Sequence, residues 1–191
     1  MKAIILGFAI TAALLTACGN NDTAETTQSN NDTAKANTEA SNTASAQPAS
    51  VDEVVNSYIQ LKNALADDNG NEAANAGKQM SEAMTKVDAA SFSADQKKMH
   101  DEVKDDIKEH AEHISDNAGK IAHQREHFEM LSKDMYDLVK VSKPSQTLYL
   151  DHCPMYNDNK GADWLSEVKE IKNPYLGKKM PDCGEVKEEI K

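Results

Sequence analysis

The chain has 191 residues, with 32 acidic side chains against 21 basic ones and a formal net charge of −11. That balance argues against nucleic acid as a partner and against electrostatic adhesion to anionic lipid. Residues 51–191 are enough for one domain with a real core, and they contain no apolar run long enough for a membrane span.

In chain order, Met1-Lys2 precedes an apolar run from Ala3 to Leu15, followed by Leu15-Thr16-Ala17-Cys18-Gly19. One positive residue before a short apolar stretch predicts a secretory signal over residues 1–17. The ending Leu-Thr-Ala-Cys resembles the lipobox of bacterial lipoproteins, which implies cleavage before Cys18 and lipid attachment to its thiol. Several acyl chains there give stable anchoring, since each buried methylene contributes about 0.8 kcal/mol. In the same analogy Gly19 favours onward transport to an outer membrane, so the expected address is periplasm-facing or cell-surface. Residues 19–50 contain no Val, Ile, Leu, Met, Phe, Tyr or Trp, and Asn-Asp-Thr-Ala recurs at 21–24 and 31–34. Such a segment cannot offset the entropy of ordering, so residues 18–50 are expected to be a lipidated, disordered tether spanning about 30 Å.

Residues 51–191 read as mainly α. Ser50-Val-Asp-Glu53 has capping-box spacing, and Val54, Val55, Tyr58, Leu61 and Leu65 follow at helical intervals up to the stop at Asp67-Asp-Asn-Gly70. A second, Ala-rich helix carries Ala73, Ala76, Met80, Ala83 and Met84, small enough for a neighbour to pack closely. Ser93-Ala-Asp-Gln96 opens a third helix with Val103, Ile107, Ala111 and Ile114 on one face. After Asn117-Ala-Gly119 a fourth shows Phe128, Leu131, Met135 and Leu138, ending before Pro144. Four amphipathic helices with short connections predict an up-and-down bundle. Residues 144–191 are too irregular for a fifth bundle helix: Thr147–Cys153 reads as extended, Asn157–Gly161 and Asn173–Gly177 as turns, and Trp164-Leu165 as an apolar anchor.

The chemistry concentrates in that tail. In Cys153-Pro154-Met155 an extended chain points residues 153 and 155 to the same side. In Met180-Pro181-Asp182-Cys183 a turn brings residues three apart together. Two thiols and two thioethers form a soft donor set suited to Cu(I). In an oxidising compartment, however, Cys153–Cys183 is equally readable as a structural disulfide. On the fourth helix His123 and His127 are one turn apart, a spacing that can place two imidazoles on one ion, with Met130 on the same flank. His127 lies nearest the core edge and is the candidate extra ligand. On the third helix His110 lies closer to the apolar face than His113, and His152 faces away from Cys153. No haem, phosphate-loop, zinc-protease or nucleophile-elbow motif occurs, and no base, nucleophile and orienting group can be placed together, so an enzyme is not expected.

The run His123-Gln-Arg-Glu-His-Phe128…Leu131-Ser132, with Tyr149…Cys153-Pro-Met155, Gly161…Trp164-Leu-Ser166, Ile171…Asn173-Pro-Tyr175-Leu-Gly177, Met180 and Cys183-Gly184, resembles the family catalogued as domain of unknown function 3347. The resemblance runs from about Val51 to the C-terminus. It departs from the family pattern at Pro181-Asp182, where an apolar residue is expected after Met180. It implies a helical bundle and a heavy-metal-binding role, since such domains are exported, often as lipoproteins, and occur fused to periplasmic adaptors of copper and silver efflux pumps. The expectation is a membrane-anchored Cu(I) or Ag(I) buffer or chaperone serving an efflux adaptor, with Cys153, Met155, Met180, Cys183 and His127 as ligands and His123 and Met130 as possible additions. Trp164, Pro174 and Tyr175 are the expected supporting framework. The competing expectation is a metal-free interaction lipoprotein stapled by Cys153–Cys183.

Overall fold

The structure, a computed structural model, describes residues 50–191. The expected signal segment over residues 1–17, the expected lipidation at Cys18 and the expected tether up to residue 49 lie outside the described residues. Among the described residues no helix is long and apolar enough to cross a membrane.

Four helices form the bundle: α1 (Val51–Ala66), α2 (Gly70–Lys86), α3 (Ala94–Asp116) and α4 (Ile121–Ser142). Each turns its apolar stripe inward, so Val54, Tyr58, Leu61, Met80, Ile107, Ile114, Phe128, Leu131 and Met135 are fully buried. The helix starts differ in how they are capped. Ser93 and Gln96 make both hydrogen bonds of the expected capping box. Ser50 does not use its side chain; its carbonyl accepts from the Glu53 N–H at 3.1 Å. Asn69 starts α2, its Oδ1 accepting from the Glu72 N–H. The small residues of α2 do permit close packing: a Cβ on Gly77 would lie 2.7 Å from the Ala111 carbonyl oxygen of α3.

Consecutive helices pack along their length, but α1 and α4 touch each other only sparsely. The tail covers that side. It forms a three-stranded antiparallel sheet of β1 (Leu148–Cys153), β2 (Ala162–Ser166) and β3 (Glu185–Ile190) in the order β2-β1-β3, with β2 against both α4 and α1. Cys153 pairs with Ala162 and Asp151 with Trp164, and all four are buried. On the opposite face His152 pairs with Asp163, their side chains 2.6 Å apart. The turn between β1 and β2 has three consecutive left-handed residues, Asn157, Asp158 and Asn159, a conformation that Asn and Asp tolerate best among residues with a Cβ.

The junction of tail and bundle is polar at its centre. The Tyr58 hydroxyl lies 2.7 Å from Ser132 Oγ of α4 and accepts the Leu165 N–H of β2 at 3.1 Å. Nearby, the fully buried Lys62 donates to Glu167 at 2.7 Å, and Asn63 donates to the other oxygen of that carboxylate at 2.9 Å. Burial holds the Lys62 ammonium below its ordinary pKa, opposed by Glu167. Asp151 is also fully buried, and neither of its oxygens has a hydrogen-bond partner. Burial pushes its carboxyl up to about 7, with Lys62 acting against the rise.

Two outcomes follow. Tyr58→Phe strands the Leu165 N–H and is expected to cost about 1–3 kcal/mol, read from the urea midpoint at an unchanged slope; an unaltered midpoint contradicts the bridge. For Asp151 the native state keeps a proton that the unfolded chain releases near pH 3.9. Its contribution is therefore greatest at low pH, is lost as pH rises from about 4 through 7, and is constant above that. Asp151→Asn is expected to flatten this part of the pH profile and to stabilise the protein at pH 8 by about 2–4 kcal/mol. A parent-like profile would exclude the buried charge as its source.

Candidate functional site

The two tail cysteines come together. Cys153, buried at the end of β1, and Cys183, half-buried just before β3, are free thiols whose sulfurs are 3.3 Å apart. A disulfide needs about 2.0 Å. Two sulfurs on one ion, with bonds of about 2.3 Å, stand roughly 3.8–4.0 Å apart at tetrahedral to trigonal angles, so a separation of roughly half an ångström more would admit a shared ion. Burial pushes the Cys183 thiol up, Cys153 adds to the rise, and the Met155 backbone N–H opposes it.

The chain around Cys183 is held by Asn173, a fully buried residue. Its backbone N–H donates to the Pro181 carbonyl at 2.9 Å and its Nδ2 to the Cys183 carbonyl at 2.5 Å. Its Oδ1 accepts from the N–H groups of Tyr175 and Leu176. The Met180–Cys183 turn closes through the Cys183 N–H on the Met180 carbonyl at 3.3 Å, so Pro181-Asp182 occupies an ordinary turn. Sequence reasoning placed Asn173 in a turn but missed this role; an Asn before Pro in a turn, whose side chain can cap the next N–H groups, was the available signal.

Aromatic packing carries the same assembly. Tyr175 stacks on Tyr156 at 4.4 Å and lies against Phe128 and Trp164, while its hydroxyl donates to the Asp163 carbonyl. Arg125 of α4 donates from Nε to the Pro174 carbonyl and from its terminal nitrogen to the Leu65 carbonyl and Asp68. Asp68 accepts in turn from the Lys178 N–H; the Arg125 hydrogen bond holds its carboxyl below the usual range. Gly177, with φ +54°, leaves the space that this pair fills: a Cβ there would lie 2.1 Å from Asp68 Oδ1. Trp164, Tyr175 and Cys153 belong to one buried core, Cys183 packs against it, and Pro174 is held through its carbonyl by Arg125. Of the two methionines, Met180 is half-buried at the start of the Cys183 turn, and Met155 is 49% exposed beside Cys153.

His127 stands elsewhere. Its ring stacks on His113 at 4.4 Å, meets His123 edge-on at 4.7 Å, and its Nδ1 is 3.2 Å from His110 Nδ1. One ring nitrogen each from His113, His123 and His127 lies within 4.8 Å of the others, and no cysteine belongs to this group among the described residues. The physical reason is helix geometry: successive residues turn by about 100°, so α4 directs Arg125, Phe128 and Ser132 at the tail or core and His127 at α3. Met130, one turn on, is 44% exposed. Burial first, then the neighbouring imidazoles, holds His127 below its ordinary pKa. The convergence of four histidines was missed, although a short connection between antiparallel helices sets residues equidistant from it side by side, here 113 with 123 and 110 with 127.

Asn173→Ala is expected to destabilise the fold by about 2–4 kcal/mol, since it leaves three backbone partners unpaired. It is also expected to increase the rate at which Cys183 reacts with a thiol reagent. Parent-like reactivity under native conditions would show that Asn173 does not restrain the turn.

No curated protein and no solved structure matches the chain. A family model does match, over residues 54–147, which takes in most of α1 and all of α2 to α4 with all four clustered histidines and ends just before β1 and its cysteine. The helical bundle of this chain, over residues 54–147, belongs to the family described as Protein of unknown function (DUF3347).

Proposed function

We propose that this protein is an exported lipoprotein, held on a membrane through lipid on Cys18, that binds Cu(I) or Ag(I) and buffers the ion or passes it to an efflux adaptor. Binding without catalysis is the reading that the donor set supports. Its support is a single arrangement: two free thiols, 3.3 Å apart, one at the end of β1 and one closing the turn before β3, with Asn173 holding the Cys183 carbonyl and Tyr175 stacked on Tyr156 just past Cys153. Thiolate neutralises a soft monovalent cation and thioether adds pH-insensitive donors, with Met155 and Met180 adjoining the two cysteines in the chain. Because Met155 is exposed, the ion would enter and leave from that side, which suits transfer better than storage. His127, grouped with other imidazoles, is not part of this ligand set.

The test is a Cu(I) titration of the full-length protein in detergent under reducing conditions, against a competing chelator. One saturable equivalent is expected, weakened about tenfold or more by Cys153→Ser and to a lesser degree by Met155→Leu. Absence of saturable binding, or indifference to both changes, would refute the proposal. Intact mass with and without reductant addresses the rival reading: a two-hydrogen difference that persists in copper-replete reducing buffer identifies a structural Cys153–Cys183 staple instead.

A further inference from the structure

The four-histidine cluster of the α3–α4 hairpin is independent of the sulfur pair, and no step of the proposed Cu(I) chemistry uses it. We propose that His113, His123 and His127, backed by His110, form a second, nitrogen-only site for a divalent d-block cation that prefers imidazole, with Zn(II) as its reference ion.

Three features carry this. First, the donors come from two helices: His123 and His127 lie at i and i+4 on α4, and His113 reaches across from α3, so an ion bound by all three would clamp the hairpin. Second, the nitrogens not needed for binding are already engaged. His123 Nδ1 lies 2.9 Å from Glu126 Oε2, the carboxylate–histidine pairing that orients a metal-bound imidazole and leaves its Nε2 free. His127 Nδ1 is taken by His110 at 3.2 Å, which likewise leaves Nε2. His113 keeps both nitrogens available, because Glu109, at 3.9 Å, is beyond hydrogen-bond distance. Third, the group is only partly buried, with His113 exposed, so an ion has an entry path and a fourth position is open to water or to His110. Three imidazoles with one open position is a recurrent zinc arrangement; the ligand atoms, all within 4.8 Å of one another, would close to about 3.3–3.4 Å around bonds of about 2.0–2.1 Å, with the stacked His113 and His127 rings turning out of parallel. Neutral nitrogen donors also favour a borderline divalent ion over the soft monovalent ion proposed for the thiols.

The experiment is titration of the full-length protein with Zn(II) in detergent, using the Cys153→Ser, Cys183→Ser double variant so that the sulfur proposal and this one fail separately. One saturable equivalent is expected in that variant, with a rise in its thermal midpoint on binding. His127→Gln and His123→Ala are each expected to weaken binding by about tenfold to a hundredfold while leaving the urea midpoint of the metal-free protein close to that of the parent. Co(II) in place of Zn(II) is expected to give a visible spectrum without thiolate charge-transfer bands. Failure of the double cysteine variant to bind Zn(II), or histidine variants that bind as tightly as their parent, would overturn the proposal. Should a histidine variant not fold, replacement of His113, the exposed member, by Ala supplies the same decision.

Discussion

A buried hydroxyl lies at the centre of the joint between the bundle and the tail. Tyr58 projects from α1, rests its ring on Phe128 of α4 at 5.2 Å, and places its oxygen between Ser132 of α4 and the backbone N–H of Leu165 in β2. Helices α1 and α4 make little direct contact, so a bundle without the tail would leave one of its sides open to water. Apolar burial alone would allow the sheet to slide across that side. The hydroxyl specifies one position, because a buried N–H without an acceptor is costly and Leu165 has Tyr58 as its acceptor. The family match over residues 54–147 therefore describes a bundle whose remaining side is closed by residues that follow the match.

The placement of the thiols depends on this closure. Once β2 is seated, β1 pairs with it in a register that buries Cys153 opposite Ala162, and β3 pairs with the other edge of β1. The two turns between β2 and β3 are then fastened from both directions, by Arg125 reaching out from α4 to the Pro174 carbonyl and by Asn173 reaching forward to Cys183. Each fastening ends on a main-chain carbonyl rather than on a side chain, so the backbone path itself is specified. The Lys62–Glu167 pair, buried at its lysine and 29% exposed at its carboxylate, adds to positional specificity more than to stability, since desolvation of Lys62 offsets much of the Coulomb attraction.

Most of the bundle was legible in the sequence because burial there follows a 3.6-residue period, and the stops at Asp67–Gly70 and Asn117–Gly119 lie where the helices end. The capping motif at Ser93 was legible too, whereas the same spacing at Ser50 was not decisive: capping-box residues permit the reciprocal bonds without compelling them. Strand β3 was hidden, since Glu185-Val-Lys-Glu-Glu-Ile190 has neither apolar alternation nor a continuous apolar run; it is a strand because β1 had an unpaired edge, a fact of tertiary structure. The meeting of Cys153 and Cys183 was anticipated from composition. The clamp by Asn173 and the grouping of His127 with His110 and His113 were not, because each depends on how separate elements are set side by side.

The two donor sets differ in what can disable them. The thiols are close enough that oxidation to a disulfide requires only a small approach, and in an oxidising compartment that reaction would remove both charged donors of the proposed Cu(I) site. Imidazoles undergo no such change; they are lost to metal through protonation instead. The histidines lie on the hairpin that the family model covers and the thiols lie beyond it, in the tail whose position Tyr58 specifies. Loss of that anchoring would disperse the sulfur donors first, since they come from the end of β1 and the turn before β3 in the tail, whereas the imidazoles sit on adjacent helices packed along their length. The nitrogen set is thus the more robust arrangement, and the sulfur set the one whose integrity reports on both the redox state and the closure of the bundle.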